Sequence, residues 1–531
     1  MITIHPQRQR AGDRIPSDSQ KPVTEQVQSF PAPISGWVTN ENMALQRPDS
    51  AFVLDNFWPT TVAIEARGGY EARVNVAGEV ATLHEYSAGG RYFATDNNAI
   101  YAFDANTAIG TTLTSVVSGL NSGDFQGIET QNDAGSFLTL VNGFDPLHLY
   151  DGTTWHAVTD VSAPHAITGV DTDKLKFAWN YRNRTWFVQK DSMNAWYLGI
   201  NSVSGPATKF PLAGVFRKGG QLHSGATFSS DSGDGMDDRI IFTTDQGEIA
   251  IYSGDPAVSI SLIGVYDIGA PIADDPYITV GGDVLVATVA GVIPVSGAVQ
   301  KGPEQLKLVS VSRPIEREWE YWVYLQPKGW KVQKWATKGM AVFAVPSSEV
   351  PFAFVVNLET GAWTRFTEWQ ANALATFGGE LYLANGSNVY LSDATGTDDG
   401  KPIIYRVCLA FSGLASAASF KTAKRARGTF RRGIDFTPQF SIASDYAERF
   451  PAPPSSAASL SQGGNAIWDA SPWDTTPWAS YGRNKGARTQ WHVVRGMGHA
   501  LAVQLQITSA ETARPDFELV SMDLTYTMGG T

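Results

Sequence analysis

With 531 residues, 51 Gly, 28 Pro, 11% aromatic and only 17% charged side chains, the chain reads as one large turn-rich β body with appendages, since long helices bring more Glu, Lys and Ala. Its 40 Lys and Arg against 52 Asp and Glu leave a net charge of −12, which excludes a surface that grips nucleic acid broadly by counter-ion release. A single cysteine excludes an internal disulfide framework and a thiolate metal cluster, and no apolar run approaches the ~18 residues of a membrane-spanning helix.

In chain order, residues 1–29 are polar, Gln- and Arg-rich and punctuated by proline, the composition of an extended or disordered arm that can also order on a neighbouring subunit. They contain no apolar h-region, so the expectation is a protein made in the cytosol that neither spans a membrane nor leaves by the secretory route. Residues 30–78 read as a strand and short-helix segment packed on the main body. Pro31 and Pro33 force an extended entry, and Asp49 or Ser50 is placed to cap a helical turn carrying Phe52 and Leu54 to Phe57 inward. Val62 to Ala66 follows as a strand, with Gly68-Gly69 as its turn.

From residue 79 to 402 one phrase recurs: an extended run, a polar turn, and a second run ending in tyrosine. Its clearest form is Gly135 to Val158, where Phe137 to Val141 alternate, Asn142-Gly143 turns, and a run ending at Tyr150 meets Asp151-Gly152 and then Trp155. The closing tyrosines, Tyr101, Tyr150, Tyr197 and Tyr252, lie roughly 40 to 55 residues apart, the period of a four-stranded propeller blade. The fold class expected is therefore all-β: a β-propeller of about six blades, an extended N-terminal arm, and a smaller C-terminal antiparallel β-sandwich-like domain over residues 403–531, separate from the propeller.

Candidate sites are few. Asp231, Asp234, Asp237 and Asp238 gather in a Gly-rich loop with the oxygen chemistry of a Ca²⁺ site but without EF-hand order, and a solvated turn is the plainer reading. His148 and His156 flank a predicted hairpin as hydrogen-bonded structural residues, and Cys408 sits in an apolar strand as a small buried side chain. In the C-terminal part, Lys421, Lys424, Arg425, Arg427, Arg431 and Arg432 put six cations into twelve residues. Partial alternation with apolar neighbours reads as a strand with a solvated face; if the cluster has a function, it is to meet an acidic subunit surface. Trp468, Trp473 and Trp478 recur every five residues within 467–478, a spacing that fits neither helix nor strand. The segment reads as an irregular loop whose rings pack on a sheet or a partner subunit, or else stack on glycan. No nucleophile elbow, P-loop or zincin motif occurs. No catalytic residue, cofactor or enzymatic activity is expected.

Three phrases carry a resemblance: Pro31-Ala-Pro33-x-x-Gly36, then Pro48-Asp-x-Ala-x-x-Leu-Asp-Asn-x-x-Pro59, then Arg67-Gly-Gly-Tyr70. Followed by irregular β repeats and Trp-Asp-x-x-Pro phrases near the C-terminal end, they resemble the tail-hub or tail-nozzle proteins of short-tailed bacteriophages, also named packaged-DNA stabilisation proteins in prophages. The resemblance implies a structural virion protein, six copies of which ring a channel beneath the portal and adaptor, near tail fibre, spike or needle components. The assembly retains the packaged genome and conducts it at ejection without sequence-specific contact. The alternative is a glycan-binding or glycan-cleaving propeller on a virion or cell surface; Tyr150-Asp-Gly-Thr-Thr-Trp155 is a partial echo of the Asp boxes of such enzymes.

Overall fold

The computed structural model describes residues 25–231, 236–300, 305–432, 436–453, 486–509 and 513–529. Within them, alternation of buried and exposed side chains along short extended runs, interrupted by glycines at positive φ, builds antiparallel sheets almost throughout. Seven sheets have the form of propeller blades. Their first strands are Thr82–Tyr86, Gln126–Asn132, Leu175–Tyr181, Leu222–Asp231, Tyr277–Val280, Lys331–Trp335 and Ala373–Phe377. These first strands pack on the next blade in chain order, Leu222–Asp231 meeting blade 5 mainly through its second strand Asp283–Thr288, and the last packs against the first, so the units form a closed ring.

The ring has one unit more than the about six expected, because the four closing tyrosines mark only the first four blades and two of the remaining three are irregular. Blade 5 keeps only three strands, ending at Gly291–Pro294, and continues into helical segments that include Glu316–Leu325. Blade 7 takes its outer strand from the other end of the chain: Gly69–Asn75 pairs antiparallel with Asn388–Thr395, with Val74 opposite Val389. The recurring tyrosines sit on third strands; Tyr101, Tyr150 and Tyr252 turn toward the preceding blade, whereas the Tyr197 hydroxyl donates to the Pro256 carbonyl of the following one. Tyr150 meets Phe93 with ring centroids 5.0 Å apart, and Tyr252 meets Phe210 at 5.4 Å. Such edge-on pairs add to burial and hold neighbouring blades in register.

Two expectations are corrected. Residues 30–78 form no short helix, and they divide between propeller and sandwich: Gly69–Asn75 completes blade 7, whereas the strands before it are built into the sandwich. Ala51–Asp55 is a strand on Lys401–Leu409, Gln26–Pro31 pairs with Phe517–Met528, and Ile64–Ala66 pairs with that same strand, so both ends of the chain build one sandwich. Asp49 does not cap a helix because its carboxylate already accepts from Ser35 and Arg47, and the Ser50 hydroxyl donates to the Arg47 carbonyl. Nor is the domain over 403–531 separate. Ala51–Asp55 also adds in parallel to Trp363–Thr367, the outer strand of blade 6, through Asp55 and Arg365, making one sheet that runs from the blade into the sandwich. The core follows the sheet, since Trp319, Trp330, Phe343, Phe354 and Trp363 of the propeller side belong to the same buried cluster as Leu54, Phe57, Tyr405, Leu505 and Phe517.

Candidate functional site

The residues of the three phrases between Pro31 and Tyr70 form the joint between propeller and sandwich. Arg67 is 4% exposed and donates through Nη1 and Nη2 to the two oxygens of Asp398 at 2.8 and 2.6 Å, and through Nε to Asn56 Oδ1 at 2.8 Å. Burial works against its charge, but the Asp398 carboxylate more than offsets this and holds the guanidinium above its ordinary value. Asn56 in turn donates to Thr367 Oγ1 and to the Ile404 carbonyl, joining blade 6 to the sandwich. The two glycines are required by space: a Cβ on Gly69 would lie 1.9 Å from the Thr397 carbonyl oxygen, and one on Gly68 would lie 2.6 Å from Asp393 Oδ1. Arg67, Gly68 and Gly69 are therefore a structural clasp.

The basic run forms the strand Lys421–Arg432, as alternation indicates, but its charges do not stay together. Lys421 is buried and donates to the His499 carbonyl at 2.5 Å; Arg427 pairs with Asp523 at 2.6 Å and covers the Trp491 ring; Arg431 lies 3.8 Å from Glu518. A register shift between Ala423 and Arg425 turns both Lys424 and Arg425 outward, and these two are exposed. Arg432 ends the strand. Of the four aspartates, Asp231 and Asp237 lie on the facing strands of the blade 4 hairpin and the Asp238 carbonyl accepts from Tyr181, while Asp234 lies outside the described residues. Trp468, Trp473 and Trp478 also lie outside them.

His148 is buried within blade 2, where burial lowers its pKa. His156 meets Asp151 at 2.9 Å, and that carboxylate also accepts the Thr153 and Thr154 amides, so Asp151-Gly152 is an Asx-type turn in which only Gly152 takes positive φ. Cys408 is buried, and burial pushes its thiol up, out of the nucleophile range.

Sequence reasoning missed the axial cavity, because its lining is gathered from the inner ends of five blades and no stretch holds more than a fragment. It encloses about 250 Å³ and is lined by His84, Glu85, Gln126, Glu129, Asp274, Asp275, Lys331 and Gln333 among others. The lining carries four carboxylates against one lysine, with Lys331 3.6 Å from Asp274 and no arginine among its described residues. Desolvation by the surrounding strands raises Asp275 to about 6, although its side chain stays open to solvent, and lowers the half-buried His84 to about 4. His223, near Lys176 at the same end, falls to about 4 mainly through burial and then through that lysine. One base pair of duplex DNA, at a rise of about 3.4 Å, fills roughly 1,000 Å³, so this cavity passes no duplex.

These features define the class: a seven-bladed β-propeller fused through a shared sheet to a sandwich built from both chain ends. No protein-family model matches the chain, and no curated protein matches it significantly. Among solved structures, it is similar to BBS1N in complex with ARL6DN at 9% identity and TM-score 0.35, over 62% of this chain and 98% of that one. The β-propeller domain of Cps50 (Swd1) from Myceliophteria thermophila aligns at 13% and 0.37, over 60% of this chain and 98% of that one. Sqt1 of Saccharomyces cerevisiae aligns at 10% and 0.37, over 65% of this chain and 96% of that one. Likeness at this level assigns no function to the chain.

Proposed function

We propose that this chain is a structural subunit of the tail of a short-tailed bacteriophage, a hub or nozzle protein that assembles as a ring of six, retains packaged DNA and conducts it during ejection. The observation that carries the reading is the set of phrases from Pro31 to Tyr70, whose residues form the clasp between propeller and sandwich. A subunit that bears load through a genome-sized channel needs its two lobes held as one body, and a buried bidentate ion pair inside a continuous sheet supplies that rigidity. Because the axial cavity is too small for duplex, the DNA path runs between copies and not through a propeller. A chain of net charge −12 would line that path with like charge, so DNA slides without adhering, and the work is done by shape and charge with no catalytic step.

The test is mass photometry and negative-stain imaging of the purified protein, alone and with other tail components. The expected result is a six-fold ring with a central hole wide enough for duplex. A chain that stays monomeric under every one of those conditions overturns the proposal.

A further inference from the structure

We infer that the outward face of one sandwich sheet is the surface by which each copy grips an acidic surface of the next copy; the inference rests on the assembly reading above and names its interface. The face belongs to four antiparallel strands, in the lateral order Gln26–Pro31, Phe517–Met528, Lys421–Arg432 and His492–Gly498. Their inner faces send Phe30, Leu524, Ala426 and Val494 into the core. The open face of such a sheet ordinarily carries polar side chains. Here Val27, Val493 and Met497 lie on it and are 61%, 79% and 60% exposed. Val27 and Val493 share one cross-strand row through Thr525 and Arg425, and Met497 lies in the next row, opposite Thr422. Exposed apolar side chains gathered in this way mark an interaction surface.

Charge decides what covers it. Lys424, Arg425 and Arg495 stand among these apolar groups, exposed and in no ion pair among the described residues. Arg427 and Arg431 are answered by Asp523 and Glu518, and Asp445 at the same edge by the buried Lys421. Counting the exposed Glu25, which precedes Gln26–Pro31, the unpaired groups at this end of the sheet are three cations against one acid, in a chain whose net charge is −12. Two such faces meeting about a twofold axis would set like charges together. The contact is therefore heterologous, the basic apolar face of one copy on an acidic surface elsewhere on the next, and contacts of that kind generate rings. Of the six cations clustered in the sequence only Lys424 and Arg425 take part; Val27, Val493, Arg495 and Met497 join them from other strands.

The test is mass photometry of the full-length protein over a concentration series, comparing the parent with the double variant Arg495→Glu, Met497→Glu and with Arg495→Lys. The double variant is expected to need about tenfold more protein to assemble, while Arg495→Lys, which keeps the charge, assembles as the parent does. At concentrations where the parent is monomeric all three are expected to melt together, since the substituted side chains are exposed. A parent that forms rings alongside a double variant that forms them equally well overturns the inference and leaves the assembly reading standing; a parent that never assembles overturns both. Assembly into twofold dimers alone, or a duplex DNA probe retained by the parent and released by the double variant in a gel shift, overturns the inference by assigning the face to its own twin or to phosphate.

Discussion

At the scale of single residues, the clasp makes the sharpest demands. Breaking the Arg67–Asp398 pair from either side leaves a buried charge without its partner, so Arg67→Ala or Asp398→Asn is expected to cost about 3 to 5 kcal/mol, read as a fall in the urea midpoint. The double variant should cost less than the sum of the two, because the partners act as a unit. Gly69→Ala, whose new methyl would overlap the Thr397 carbonyl, is expected to lower folded yield sharply, while an alanine at the open turn Gly361 is expected to cost far less. The axial groups set a pH dependence of mixed sign. His84 and His223 have folded pKa values of about 4, below their unfolded values, so their contribution is complete above the unfolded pKa and is lost as pH falls toward 4. Asp275, raised to about 6, contributes in the opposite sense: its stabilisation is complete below the unfolded carboxylate pKa and is lost as pH rises through 6. Melting temperature should therefore fall on acidification from pH 6.5 to 4, and Asp275→Asn should steepen that fall; a flatter profile in the variant would contradict the assignment. The Arg67-Gly-Gly-Tyr phrase is visible in the sequence, but its partner Asp398 lies 331 positions away, beyond any local pattern.

At the scale of elements, the strand Gly69–Asn75 closes the propeller by pairing with Asn388–Thr395, so the ring is sealed by contacts between distant parts of the chain. Val74, buried in that strand, is the place to test it. Val74→Asp introduces a charge with no partner into the blade 7 core and should open the ring to limited proteolysis, while the outward pair Lys424→Glu with Arg425→Glu should leave both proteolysis and melting temperature unchanged. Alternation made the Lys421–Arg432 strand legible, whereas the shift that exposes two adjacent cations and the ion pairs that occupy Arg427 and Arg431 depend on the neighbouring strand. The short helix expected near Asp49 illustrates the same limit. Ser, Asp and Pro before an apolar run suit a cap or a strand entry equally, and the edge of Lys401–Leu409 decides for the strand.

At the scale of the whole molecule, propeller and sandwich share a sheet and a core, so heating should give one calorimetric transition; two independent peaks would show that the lobes fold apart. For the same reason residues 403–531 expressed alone should not fold, since they lack the strands Gln26–Pro31, Ala51–Asp55 and Ile64–Ala66 that complete both sheets. What the sequence determined by itself was the all-β character, the identity of most strands and the blade repeat, because side-chain alternation and glycine turns are local properties carried by a few consecutive residues. What only the tertiary structure decided was the number of blades, the mingling of the two chain ends in one sandwich, and the gathering of short runs from five blades around an axis. Pairing partners are selected by edges and volumes hundreds of residues apart, and a strand's own pattern specifies which face is buried without specifying what buries it.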